Sequence, residues 1–188
     1  LCCLPNFIVM APSNGEELKN MIKLAQSINN KPSAIRYPRD FAYEYNNNNN
    51  FQKILIGKGK ILKKGKKIAF LNLGTRLKKV LEINEMIKNH HKINCTLVDK
   101  RFAKPIDAKL IQNLNKTHDI FITIEENVIG GFSSQVNDLL INKLNKTPKI
   151  LNFFMKDEFI DQSDIDDQYN KSGISKELIF DKVSMLLK

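Results

Sequence analysis

The stretch that decides the fold is "IAFLNLGT", from Ile68 to Thr75. Its residues are nearly all apolar, whereas a strand with one side in water alternates apolar and polar residues. An apolar run of this kind is typical of a strand that is buried on both faces, as in parallel sheets. From Arg76 to about Asn89, apolar residues recur at helical spacing, which predicts an amphipathic helix. A buried strand followed by such a helix indicates an α/β fold.

The same alternation continues to the end of the chain. A short strand and turn at "IGKGKILKKGKK" precede Ile68. Further strands are predicted at "INCTLVD", "DIFITIEEN" and "KILNFFM", and further helices at "DAKLIQNLNK", "GGFSSQVNDLLINKL" and Ser175 to Leu187. This rhythm predicts an α/β domain with a mostly parallel sheet flanked by helices, beginning near Leu55.

The residues before that domain form their own strand–helix–strand unit. Phe7 to Met10 and "PSAIRYP" are predicted strands, and Gly15 to about Asn29 is a predicted helix. Ser13 stands three residues before Glu16, the spacing of a capping box. An asparagine-rich segment follows that has little to bury. We therefore predict a first unit at residues 1–45, a linker at 46–54 and a domain at 55–188.

The charge of the chain does not indicate a nucleic-acid partner. The 30 Lys and Arg residues against 20 Asp and Glu give a net charge of +10, but the lysines are scattered and no arginine-rich stripe with interleaved aromatic residues occurs. Cys2, Cys3 and Cys95 lack the spacing of a disulfide framework or a zinc site, which favours a reducing compartment. No apolar run reaches the length of a membrane-spanning helix. We expect neither a nucleic-acid nor a membrane partner.

Arginine is rare in this chain, and two of the four arginines lie in "RYPR", at the end of a predicted strand. Arg36 and Arg39 flank Tyr37 and Pro38, and the proline stiffens the turn. A guanidinium group offers planar, two-point recognition of phosphate or carboxylate, which lysine does not. The segment therefore predicts either an anion clamp or salt bridges at a domain edge, and the residues alone do not choose between them.

The segment "EENVIGGF" places Glu125 and Glu126 at a predicted strand end and two glycines before a predicted helix. Paired carboxylates can serve acid–base chemistry, and a glycine-rich helix start can bind an anion. The two roles conflict, because two carboxylates repel a phosphate. We interpret both acids as structural, pairing with Lys or Arg across an interface, and assign Arg101 a structural docking role.

Residue patterns alone predict no catalytic, cofactor-binding or metal-binding residue in this chain. The motifs of a phosphate-binding loop, a serine hydrolase and a zinc protease do not occur. "GTR", from Gly74 to Arg76, is too short to predict an anion loop.

Six segments together carry a resemblance to a known family: "PNFIVMAPSNGEEL", "PSAIRYPRD", "IGKGKILKKGKKIAFLNLGT", "TLVDKRFAKPID", "FITIEENVIGGFSSQV" and "FIDQ". Their order and spacing resemble the C-terminal third of the 1-deoxy-D-xylulose-5-phosphate synthases, which are thiamine diphosphate-dependent and transketolase-like. The resemblance spans nearly the whole chain. The second, fourth and fifth segments separate it from transketolases and from oxoacid dehydrogenase β subunits.

The resemblance implies a fragment of a homodimeric transferase with three α/β domains. That family condenses pyruvate with glyceraldehyde 3-phosphate, releases carbon dioxide and feeds isoprenoid and thiamine biosynthesis, with thiamine diphosphate and magnesium as cofactors. Residues 1–45 would be the tail of the pyrimidine-binding domain, and residues 55–188 a transketolase C-terminal-type domain. Cofactor ligands and catalytic residues would lie upstream of Leu1, so the fragment alone would be inactive.

By the same resemblance, Arg39 holds the phosphate of glyceraldehyde 3-phosphate, and Arg36 and Tyr37 are secondary candidates for that pocket. Asp40 stands where the family usually has glycine, which puts an acid beside the phosphate. Two alternatives stay open: a non-catalytic docking or dimerisation module, and the C-terminal part of another thiamine-dependent transketolase or oxoacid dehydrogenase subunit. The family and the Asn- and Lys-rich composition imply a non-photosynthetic plastid, with a bacterial cytoplasm as the alternative.

Overall fold

The computed structural model of the protein describes residues 1–39, 41, 53–144 and 146–187. The strands and helices of these residues follow one another in the order β1 (Ile8–Met10), α1 (Gly15–Gln26), β2 (Ser33–Ile35), β3 (Lys60–Lys63), β4 (Lys67–Leu73), α2 (Leu77–His91), β5 (Thr96–Asp99), β6 (Phe102–Lys104), α3 (Ala108–Asn115), β7 (His118–Glu125), α4 (Phe132–Asn142), β8 (Lys149–Phe153), α5 (Ile165–Ser172) and α6 (Lys176–Leu187).

The larger of two sheets has the strand order β3-β5-β4-β7-β8. β4 pairs in parallel with β5 and β7, and β7 pairs in parallel with β8. Only β3, at one edge of this sheet, is antiparallel to its neighbour β5. The predicted α/β fold with a mostly parallel sheet is confirmed, and the strand that decided it lies at the centre.

The side chains of β4 alternate between two cores. Ile68 and Phe70 pack with residues of α2 and α6 on one face of the sheet. Ala69 and Leu71 pack with residues of α3 and α4 on the other face. All four side chains are fully buried. Because helices cover both faces, neither side of the strand can carry polar residues without cost, which explains its apolar sequence.

The smaller sheet joins the N-terminal unit to the rest of the chain. β1 pairs in parallel with β2 and antiparallel with β6, which comes from the far side of the linker. A separate apolar cluster covers this sheet and includes Met10, Met21 and Phe102. Ile54, the last residue of the predicted linker, is buried in the same cluster. Of the rest of that linker, residues 46–52 lie outside the described residues.

Helix α1 begins one residue later than the predicted capping box requires. The N-cap is Asn14, whose Oδ1 accepts a hydrogen bond of 2.9 Å from the amide of Glu17. The predicted role of Ser13 as the cap is wrong, because its hydroxyl donates to Oδ2 of Asp99 at 2.5 Å. Ser13 therefore connects the start of α1 to the end of β5 in the larger sheet.

Candidate functional site: a cleft between the two sheets

A cleft of about 1180 Å³ opens where strands of both sheets end. Its walls are residues 12–15 after β1, residues 37–39 after β2, and residues 75, 76, 78 and 79 after β4, with residues 164–167 and Tyr169 at the start of α5 opposite. The carboxyl ends of parallel strands are where open α/β sheets bind their ligands. The topology therefore makes this cleft the candidate site.

Arg39 and Tyr37 both lie on the wall of this cleft and are exposed. Among the described residues, no ion pair involves Arg39. Its guanidinium group can therefore take up an anionic ligand without first leaving a carboxylate. Asp40, the acid expected to weaken that interaction, lies outside the described residues.

Arg36 turns away from Arg39 and contacts the larger domain. Its Nη1 donates to the backbone oxygen of Glu126 at 2.9 Å and to Oε2 of the same residue at 3.1 Å. A Cβ at Gly74 would come within 2.7 Å of Arg36 Nη2, and the φ of +88° at Gly74 also favours glycine. The structure therefore separates the two arginines of "RYPR", with Arg39 in the cleft and Arg36 in an ion pair.

Glu126 holds three segments of the chain together. Besides Arg36, its Oε1 accepts hydrogen bonds from the hydroxyl of Thr75 at 2.6 Å and from the hydroxyl of Tyr169 at 2.5 Å. Burial and the adjacent Glu126 carboxylate raise the pKa of Tyr169 to about 12, so the phenol keeps its proton and acts as a donor. Charge-assisted hydrogen bonds of this length are among the stronger ones in proteins.

Glu125 caps a helix instead of making the expected pairing with Lys or Arg. Its carboxylate accepts hydrogen bonds from the amides of Phe132 at 2.9 Å and Ser133 at 2.7 Å, in the first turn of α4. A Cβ at Gly131 would collide with this carboxylate, which explains the second glycine of the pair. The amides at the start of α4, which could have bound an anion, are therefore occupied by the carboxylate of Glu125.

Behind the cleft lies a buried group of charged residues. Arg101 Nη2 pairs with Glu17 Oε1 at 2.5 Å, with only 9% and 6% of the two side chains exposed. The backbone amide of Arg101 donates to Asp99 Oδ1 at 3.0 Å. Burial, aided by the nearby Glu17, raises the pKa of Asp99 to about 6. Arg101 thus joins α1 to the larger sheet from within.

The cleft is also lined by other charged side chains, both positive and negative. Lys79 Nζ lies 3.6 Å from Asp166 Oδ1, and the guanidinium of Arg76 stacks on the ring of Tyr169 at 3.7 Å. Arg76 also donates to the backbone oxygen of Ile174 at 3.0 Å. These cations already have partners, so Arg39 is the one best placed to bind an anion at the cleft mouth.

Sequence reasoning missed two residues that shape the cleft, Thr75 and Tyr169. Thr75 belongs to the segment "GTR", which gave no signal beyond a helix start. Tyr169 comes from α5, whose sequence "IDDQYNKS" is too polar to show a buried face. Neither residue could be connected to Glu126 without the fold.

Within the described ranges, no group of three or more His, Cys, Asp and Glu side chains could hold a metal ion. No helix of the described part is long and apolar enough to cross a membrane.

Comparison with known proteins gives the chain its family. The profile of transketolase C-terminal domains matches residues 57–179. The chain is 40% identical over 185 residues to a 1-deoxy-D-xylulose-5-phosphate synthase from Psychromonas ingrahamii. The alignment covers 95% of the chain and 28% of that protein. It is 37% identical to the chloroplastic 1-deoxy-D-xylulose-5-phosphate synthase 1 of Cannabis sativa, over 93% of the chain and 25% of that protein. The chain thus spans little more than a quarter of the length of these relatives.

Solved structures agree with the fold. A protein described as "split gene transketolase, inactive beta4 tetramer" superimposes with a TM-score of 0.83 at 27% identity, over 98% of this chain and 59% of the other. A transketolase from Campylobacter jejuni superimposes with a TM-score of 0.68 at 18% identity, over 98% of this chain and 27% of the other, and supports the fold alone. With its family profile matched over most of its length, the chain belongs to the transketolase C-terminal domain family.

Proposed function

We propose that this chain is the C-terminal part of a 1-deoxy-D-xylulose-5-phosphate synthase. The enzyme would condense pyruvate with glyceraldehyde 3-phosphate, with loss of carbon dioxide, and supply isoprenoid and thiamine biosynthesis. Two observations support the proposal. The first is the similarity to synthases of that name over nearly the whole chain. The second is the exposed guanidinium of Arg39 at the cleft mouth, which suits the phosphate of an aldehyde substrate.

The rest of the enzyme would supply the reactive centre. We propose that residues 1–45 belong to the pyrimidine-binding domain and residues 55–188 to the C-terminal domain. Thiamine diphosphate would supply the carbanion chemistry at the pyruvate carbon. Within the described ranges, no group of three or more His, Cys, Asp and Glu side chains could hold a metal ion. In this proposal the ligands of both cofactors belong to the other domains. The assembly would be a homodimer, located in a non-photosynthetic plastid or, alternatively, in a bacterial cytoplasm.

In this proposal the chain alone is inactive, because it contributes one wall of the site. The structural neighbour described as an inactive β4 tetramer is consistent with that expectation.

The test is to assay the chain alone, and again after assembly with the remaining domains, whether these lie on the same polypeptide or on another. Pyruvate and glyceraldehyde 3-phosphate should be consumed by the assembly only. Turnover of pyruvate by the isolated chain would contradict the proposal. Activity with a different acceptor aldehyde only would assign the chain to another thiamine-dependent enzyme.

Replacing Arg39 tests the part that this chain plays. In the assembled enzyme, we expect Arg39→Ala to raise KM for glyceraldehyde 3-phosphate by about 30-fold, the loss of one charge-assisted contact worth about 2 kcal/mol. The pyruvate half-reaction should be unchanged. Arg39→Lys should be intermediate, because it keeps the charge but not the two-point geometry. Lys31→Ala, which removes an exposed cation just before β2, is the control and should leave KM unaltered. Equal KM values for wild type and Arg39→Ala would remove Arg39 from the site.

A further inference from the structure

The segment that carries Arg39 has few attachments to the larger domain. After β2, the amide of Arg36 donates to the backbone oxygen of Met10 at 2.9 Å. The side chain of Arg36 then makes its two hydrogen bonds to Glu126. Among the described residues, the two hydrogen bonds to Glu126 are the last between this segment and the larger domain before Arg39. The position of Arg39 therefore depends on the contact three residues earlier.

Glu126 is held more firmly than Arg36. Its side chain is 10% exposed, whereas that of Arg36 is 39% exposed. It follows Glu125, the last residue of β7, which is an interior strand of the larger sheet, and it accepts hydrogen bonds from the hydroxyl groups of Thr75 and Tyr169. Glu126 thus forms a largely buried, hydrogen-bonded point of attachment for the more exposed arginine.

The three partners of Glu126 come from three walls of the cleft. Arg36 leads into residues 37–39, Thr75 opens the segment before α2, and Tyr169 belongs to α5 opposite. Resting on the proposed function, we infer that Glu126 is a positioning residue, which holds Arg39 at the distance from α2 and α5 that a substrate phosphate requires. It acts through Arg36 and Tyr169 and does not itself touch the substrate.

This role differs from that of a salt bridge that only stabilises the fold. An exposed or half-exposed ion pair contributes about 0 to 1 kcal/mol to stability, so its loss leaves most of the protein folded. Misplacement of a binding group by about 1 Å, in contrast, can cost a large factor in binding or rate. A positioning role therefore predicts a change in phosphate affinity that exceeds the change in stability.

The experiment measures binding of inorganic phosphate to the 188-residue chain by NMR titration, in four proteins. These are wild type, Arg39→Ala as the reference, Glu126→Gln as the test, and Glu82→Gln as the matched control. Glu82, in α2, pairs with Lys176 at 3.1 Å, and the two side chains are 37% and 28% exposed, so its replacement also removes one partly exposed ion pair from the same domain. Thermal unfolding is recorded for each protein to show that the folded state is being compared.

We expect Glu126→Gln to weaken phosphate binding about tenfold, Arg39→Ala to weaken it about 30-fold, and Glu82→Gln to leave it within about twofold. Arg36→Gln removes the same ion pair from the other side, and it serves as the test if Glu126→Gln does not fold. The Arg36→Gln/Glu126→Gln double variant should bind phosphate no more weakly than the weaker single variant, because both break one contact.

Three outcomes overturn the inference and are distinguishable. Weakened binding in Arg39→Ala with wild-type binding in Glu126→Gln and Arg36→Gln would leave the phosphate site in place and remove Glu126 from it. Unchanged binding in Arg39→Ala would instead remove the phosphate site itself, and with it the proposed role of this chain. A loss in Glu82→Gln equal to that in Glu126→Gln would show a general effect of stability and would also overturn the positioning role.

Discussion

Arg101→Met should lower the free energy of unfolding by about 3–5 kcal/mol, the cost of leaving one member of a buried ion pair without its partner. The carboxylate that loses its partner is Glu17, which is nearly fully buried in α1. Methionine keeps the length and much of the apolar volume of the arginine stem, so the loss reports the charge and not a cavity. Chemical denaturation at pH 7 measures the change.

Replacing Glu17, alone and together with Arg101, separates the energy of the ion pair from that of the surrounding packing. Glu17→Leu alone leaves the arginine unpaired and should cost a similar amount. The Glu17→Leu/Arg101→Met double variant removes both charges and should recover most of the loss, because replacing a buried pair by apolar residues is often close to neutral. A double variant as unstable as the sum of the two singles would contradict this account. It would show that Arg101 acts through packing alone.

Asp99 adds a pH dependence to the same region. Its pKa is raised to about 6 in the folded protein, against 3.8 as its ordinary value. Between pH 4 and 6 the folded state therefore keeps a proton that the unfolded chain releases, and stability falls as pH rises through this window. The positive charge of Arg101 opposes that effect. In Arg101→Met, the decrease in the free energy of unfolding with rising pH should therefore extend to higher pH than in the wild type.

The fold was predictable where the local pattern is strong. β4 and α2 were identified because an apolar run and a helical period leave few alternatives. β6 was not, because it has three residues and its partner β1 lies far away along the sequence, in the N-terminal unit. A pairing between distant segments leaves no local signal, so the joining of the two units by one sheet could not be predicted.

The candidate site was predictable only in part. The rarity of arginine and the strand end drew attention to Arg39, and the structure has that residue on the cleft wall. Its binding of phosphate stays a prediction. Arg36 and Arg39 have different roles because Arg36 pairs with Glu126. The fold brings these two residues together, and their spacing in the sequence does not predict the contact. Glu125 and Glu126 have identical side chains, but Glu125 contacts the start of a helix and Glu126 contacts an arginine. Residue type alone does not distinguish these two roles.

The loop between β5 and β6 places a lysine in the interior. Lys100 is fully buried, and among the described residues its Nζ has no hydrogen-bond partner. Burial lowers the pKa of Lys100 to about 8, against the opposing influence of Asp107 and Asp99, while Lys58 lowers it further. A buried ammonium without a hydrogen bond destabilises the fold in its charged form, and the two carboxylates offset only part of that cost.

Lys100→Met should therefore raise the free energy of unfolding at pH 7 by about 3 kcal/mol. This is the value that corresponds to a pKa of about 8 in place of 10.5. Between pH 8 and 10.5 the unfolded chain binds a proton that the folded protein has lost. This lysine therefore makes the wild type gain stability as pH rises, and the variant lacks that gain.

The measurement is the difference in the free energy of unfolding between the two proteins at each pH. The difference is needed because burial also raises the pKa values of Cys95 and Tyr169 to about 12, which lowers the stability of both proteins at alkaline pH. Lys109→Met, at an exposed position of α3, is the control and should change stability by less than about 0.5 kcal/mol. A variant less stable than the wild type at pH 7, with stability curves that do not converge near pH 10.5, would contradict this prediction. It would show that Lys100 is favourably paired with Asp99 or Asp107 in the charged form.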